Sequence, residues 1–241
     1  MRATSTFVTT LGAACVSLAL AACKAKEDAR ADSAGPATAT TAAADSASKA
    51  DPDRAAGGNG LPAGYVGRTD RENGSMNDAK YASASGGMWD VTTGPHHIIY
   101  QASDSASGSY VVTARIDQAE APTHPESFGV FIGGQNLDQP TQKYTYFMVR
   151  GAGDVLVKRR DGAETKDLVA WKASPAVPKA DASGKASYKL MVRVGTDSVR
   201  FFVNEQPAAA IPASAASTSG IAGVRIGHNL HVMVEPVKIA R

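Results

Sequence analysis

Residues 127–160, SFGVFIGGQNLDQPTQKYTYFMVRGAGDVLVKRR, hold three short runs of β-branched and aromatic residues, parted by turns rich in Gly, Asn and Asp. Runs this close together leave no room for crossover helices. They therefore pair as an antiparallel meander, and a sheet begun this way must bury one face against a second layer. The last hairpin is expected to turn at Gly151-Ala152-Gly153-Asp154. As a two-residue turn it sets Tyr146 opposite Arg159 and Arg150 opposite Val155.

The flanking sequence carries the same pattern. GSYVVTARID at 108–117 alternates Tyr110, Val112, Ala114 and Ile116 against Val111, Thr113, Arg115 and Asp117, the signature of a half-buried strand. Further strands are expected at 88–91, 96–101 and 168–171, then in ASYKLMVRVG, DSVRFFVNEQPAAAI and GIAGVRIGHNLHVMVEPVKIA, with a tight turn at Asn204-Glu205. Residues 61–85 carry turn signals and few apolar residues, and read as an irregular lead-in. No segment has a capped apolar repeat of 3.6 residues, and no repeat of fixed period runs through the chain. The expected fold is all-β, a two-sheet antiparallel jelly-roll sandwich over residues 61–241.

Of the 241 residues, 25 are Lys or Arg and 23 Asp or Glu, so the formal charge is only +2 and nucleic acid is not an expected partner. The two cysteines, Cys15 and Cys23, both precede the domain, which therefore has no thiol for a disulfide, a zinc site or a nucleophile.

Residues 1–22 contain one basic residue, Arg2, then an apolar run, and end in Leu20-Ala21-Ala22 before Cys23. This has the shape of a secretory signal with a small-residue cleavage site, and is too short for a membrane span. It resembles a bacterial lipoprotein signal with its lipobox. The resemblance implies cleavage before Cys23, diacylation of its thiol and acylation of the new amino group. An ordinary secretory signal is the alternative, and Cys15 is a poorer lipobox because Gly12 stands where a branched apolar residue belongs. Lys24 follows where an Asp would favour inner-membrane retention, so the resemblance implies the outer membrane of a diderm bacterium.

Residues 23–60 are mostly Ala, Ser, Thr, Asp, Lys and Gly with two prolines and no aromatic or large aliphatic residue, a composition that cannot offset its ordering entropy. The expectation is a disordered tether, about 30–36 Å from end to end as a coil. A helix is the rival reading, broken by GPATATTAAADS and DPDRAAGGNG.

The succession GSYVVTARI, FGVFIGG, YTYFMVRGAGDVLVKRR, SVRFFVNEQPAA and GIAGVRIGHNL resembles the concanavalin A-like lectin and glucanase superfamily, including laminin-G-like and 3-keto-disaccharide-hydrolase-like domains. The resemblance is one of strands and turns, so it implies fold more than activity. Retaining glucanases of this fold carry a Glu-x-Asp-x-x-Glu strand, whose carboxylates project from one face about 5 Å apart. No Glu of this chain has an acidic residue two positions on, and Glu164 with Asp167 beside the turn at Asp161-Gly162 reads as solvated. No nucleophile elbow, phosphate loop or cofactor motif is present. His96-His97 and His228/His231 place neighbours on opposite faces of a strand, so neither pair is expected to hold a metal; only ligands drawn from separate strands would.

What remains is a binding surface. Tyr144, Tyr146 and Arg150 share one face of their strand, and rings beside a guanidinium suit sugar stacking and hydroxyl-rich or anionic ligands. Arg159, His96 and Trp171 are the expected neighbours. The competing reading packs the tyrosines at the sheet rim and solvates the arginines. Together these features predict a membrane-anchored, non-catalytic envelope lipoprotein whose sandwich binds carbohydrate, cell wall or a protein partner. The alternative is an enzyme acting on a modified (3-keto) disaccharide.

Overall fold

The computed structural model describes residues 60–241 apart from 72 and 73. The signal, Cys23 and the tether lie outside the described residues, save Gly60. The domain is built from two antiparallel sheets. One runs in the order β1 (Val66–Thr69), β4 (His97–Ala106), β13 (Gly220–Ile226), β6 (Phe128–Gln135), β7 (Lys143–Arg150), β8 (Asp154–Asp161) and β9 (Glu164–Ala173). The other runs β12 (Gln206–Pro212), β11 (Ser198–Val203), β10 (Ala186–Val194), β5 (Tyr110–Gln118), β14 (His231–Val234), β3 (Trp89–Thr93) and β2 (Ala79–Ser83), with β15 (Lys238–Ala240) also on β5. The only helical turns among the described residues are three short 3₁₀ segments. The expected two-sheet sandwich is the observed one.

Alternation along each strand makes the core. In β5, Tyr110, Val112, Ala114 and Ile116 are buried while the residues between them are not fully so. They meet Val130, Phe147, Val157 and Val224 from the seven-stranded sheet. Each such large side chain contributes roughly 1.5–3 kcal/mol when fully removed from water. The meander 127–160 becomes β6, β7 and β8, neighbours in space as in sequence.

Three expectations are corrected. The lead-in is not irregular: it holds β1 and β2, each the edge strand of a sheet. An edge strand has one partner and little buried face, which is why VGRT and AKYAS lack a strong apolar signal. The strand at 168–171 extends over the whole of β9, another edge, which opens on the polar run ETKD at 164–167 and is mostly exposed. The β7–β8 turn is one residue longer than expected: Arg150 pairs with Asp154, and Gly151-Ala152-Gly153 form the loop, with Gly153 at φ +95°. A three-residue loop needs a left-handed residue, and glycine supplies it without strain. The register therefore shifts, putting Lys158 opposite Tyr146 and Thr145 opposite Arg159.

Candidate functional site

The outer face of the seven-stranded sheet, away from the main core, carries its own apolar layer. Ile98, Tyr100, Phe131, Tyr144, Tyr146, Met148 and Leu156 pack there with Leu137 from the β6–β7 loop. Arg68 on β1 holds that loop by donating to the carbonyls of Leu137 and Gln139. Tyr144 and Tyr146 do face away from the core, but they are only 0% and 6% exposed, so they form a packed layer and not an open platform.

Arg225 of β13 stands in this layer at 6% exposure. Its guanidinium forms a two-pronged pair with Asp70, donates to Tyr144 Oη at 3.1 Å and covers the Tyr146 ring. Burial works against the Arg225 charge, but Tyr144 and Asp70 outweigh it and raise its pKa above the ordinary arginine value. Burial likewise works to raise the Asp70 pKa, and the hydrogen bonds and charge of Arg225, with Arg160 behind, hold it below the usual carboxylate range. Sequence reasoning passed over Arg225 because GIAGVRIG offers one cation in an apolar strand with no sign of its partner 155 residues away.

At one end of the same sheet, three neighbouring strands converge. His96 precedes β4, His228 follows β13 and Glu126 precedes β6. The ring nitrogens His228 Nδ1 and His96 Nε2 lie 3.2 Å apart, and His228 Nε2 is 3.0 Å from Glu126 Oε1. Burial, then the nearby charges of Arg225 and His228, lower the His96 pKa to about 4. His97, one residue on, faces the other way: its Nδ1–H donates to Pro95 O at 2.9 Å, and its Nε2 accepts from Tyr81 Oη.

Arg150, at the end of β7, is the hinge between two surfaces. Its Nε donates to Asp154 at 2.6 Å, and its guanidinium lies 4.5 Å from the Trp171 ring centre. Trp171 is 37% exposed, one of two large hydrophobic side chains left exposed among the described residues. On its other side Arg150 lines a cavity of about 390 Å³ with Gln118, His124, Glu126, Gly151 and Asp181. Gln118 is buried; its Nε2 donates to Gly184 O, while its Oε1 has no protein partner.

Of the residues singled out from sequence, Tyr144, Tyr146, Arg150 and Trp171 share the outer face, and His96 lies at its end. Arg159 does not join them. The register shift turns it to the opposite face, where it donates to Ala215 O at 3.3 Å. Trp89 is buried, with Tyr65 and Tyr81 edge-on to its ring.

No protein-family model matches the chain, and no curated protein matches it in sequence. Among solved structures it is similar to a protein of unknown function with a galectin-like fold from Bacillus subtilis, at 10% identity and a TM-score of 0.51, covering 73% of this chain and 88% of that one. Weaker likenesses are to carbohydrate binding module CBM66 from Bacillus subtilis (9% identity, TM-score 0.48, 74% and 96% covered) and alginate lyase A1-II′ (8%, 0.47, 66% and 82%). At such identities the likeness speaks to the fold alone: the described residues form a galectin-like jelly roll of the concanavalin A-like type.

Proposed function

We propose that this protein is a carbohydrate-binding lipoprotein of the cell envelope, whose sandwich (61–241) is tethered through residues 23–60 to a lipid on Cys23. The observation that carries the binding role is Arg150, fixed by Asp154 between the exposed Trp171 ring and a 390 Å³ cavity whose lining includes His124, Glu126 and Asp181. A sugar needs an aromatic surface for its C–H faces and fixed donors and acceptors for its hydroxyls. Trp171 supplies the first, and Arg150 with the polar side chains lining the cavity the second. The ligand surface is thus the Arg150–Trp171 end of the face, with the buried Tyr144 and Tyr146 as its foundation.

The test is a glycan array probed with the purified chain and with Trp171→Ala, followed by calorimetry on any hit. Binding that weakens several-fold in the variant, with an unchanged melting temperature, supports the reading. Equal binding by the two proteins would overturn the site, and turnover of a 3-keto-glycoside would replace binding with catalysis.

A further inference from the structure

We propose that His96, His228 and Glu126 form a binding site for one divalent transition metal of the zinc type. The ligands come from three strand ends that the sheet fixes side by side: Ile226 pairs with both His97 and Phe128, and Gly227 N–H donates to Ser127 O at 2.8 Å. The site is therefore carried on the rigid ladder and not on one flexible loop.

The distances suit a metal. Two imidazole nitrogens bound to a tetrahedral zinc at about 2.0–2.1 Å stand about 3.3 Å apart. His96 Nε2 and His228 Nδ1 share a hydrogen bond at 3.2 Å, a separation close to one tetrahedral edge, and an ion would take the place of the shared proton. One ligand atom from each of the three residues lies within 4.8 Å of the others. The Glu126 carboxylate now lies against Nε2 of the His228 ring, so closing the set around an ion held by Nδ1 requires it to swing toward the His96 side.

The donor set also selects. Two imidazoles and one carboxylate favour zinc, cobalt, nickel or copper over calcium and magnesium, which prefer all-oxygen shells. Three protein ligands leave a fourth position for water or another small ligand. Glu126 lines the cavity shared with Arg150, which gives the ion a way in. Arg225 is a cation beside the site, and its ion pair with Asp70 offsets part of that charge. Gly227 keeps the centre open: a Cβ there would stand 2.9 Å from Glu126 Oε2 and 2.5 Å from Ser127 O.

The experiment uses the full chain with Cys15 and Cys23 replaced by serine, so that thiols do not compete. After chelation it is titrated with zinc chloride and, separately, with cobalt chloride. The expected result is about one equivalent of zinc retained after desalting, a tetrahedral cobalt spectrum, and no retention of calcium. Glu126→Gln and His228→Asn, checked for folding by circular dichroism, should weaken zinc binding about tenfold or more. Should either variant fail to fold, ring-nitrogen NMR of the unsubstituted domain decides: zinc must shift the His96 and His228 signals and leave His231 in place. No retained zinc, unchanged affinity in folded variants, or shifts confined to other histidines would each overturn the proposal.

Discussion

The Arg225 guanidinium lies 4.7 Å from the centre of the Tyr146 ring while Asp70 grips it from the other strand edge. A charge this deeply buried is tolerated only because an opposite charge, a hydroxyl and a ring face surround it. The outer face of the sheet is therefore a second core, with an ion pair built into it.

Removing Arg225 takes the two-pronged partner from Asp70, which keeps only Arg160 at 3.7 Å and partial contact with water. Arg225→Ala should cost about 3 kcal/mol. Tyr146→Ala, which opens a cavity in the same layer, should cost a similar amount. The sequence alone leaves Tyr146 between an open surface, where its loss would hardly affect stability, and packing at the sheet rim. Urea unfolding of Tyr146→Ala separates the two: a change under about 1 kcal/mol would mean that the ring is not packed as described.

Tyr110 sets an alkaline limit on stability. Its hydroxyl donates to Thr218 O at 2.7 Å, and burial raises its pKa to about 12, against about 10 in an unfolded chain. The raised value favours the protonated, folded form, so the contribution is complete below pH 10. It is lost as pH rises from about 10 to 12, by roughly 2 kcal/mol in all. Unfolding followed at pH 8, 10 and 11 should show this fall, and Tyr110→Phe should make it shallower by its own share, the rest coming from Tyr81, Tyr188 and the other tyrosines whose pKa burial raises. An equally steep fall in the variant would assign the effect elsewhere.

The sequence made the core sheets legible because β5 alternates and the meander has its turns in place. What it hid follows from physics. The edge strands β1 and β2 bury too little to need apolar runs. The β7–β8 loop differs by one residue from a two-residue turn, and one residue reverses every side chain, which is how Arg159 left the site. The burial of both faces of β7 did have a signal: YTYFMV lacks the polar residues that a solvated face would carry. The His96–Glu126–His228 cluster had none, since its members lie 30 to 132 positions apart and meet only once strand order is known.

Lipidation at Cys23 makes a separate prediction. Palmitate labelling of the expressed chain should place the label on Cys23, and Cys23→Ser should abolish it. Label that persists in this variant but vanishes in Cys15→Ser would move the anchor to Cys15.

Arg150 and Trp171 should be energetically coupled. Asp154 fixes the guanidinium through a 2.6 Å hydrogen bond, so part of the entropy of placing Arg150 over the ring is already spent by the hairpin. The contact is partly exposed, which limits the coupling to about 0.5–1 kcal/mol. In a double-mutant cycle, Arg150→Ala and Trp171→Ala should together destabilise by that much less than the sum of the single changes. The same cycle run on glycan affinity should couple more strongly, because a sugar on Trp171 also removes water from the guanidinium it touches. Asp154→Asn should weaken sugar binding a few-fold without being part of the ligand surface, by releasing Arg150. If the stability effects add and Asp154→Asn binds like the unsubstituted protein, Arg150 is not held for recognition and the ligand must sit elsewhere on the domain.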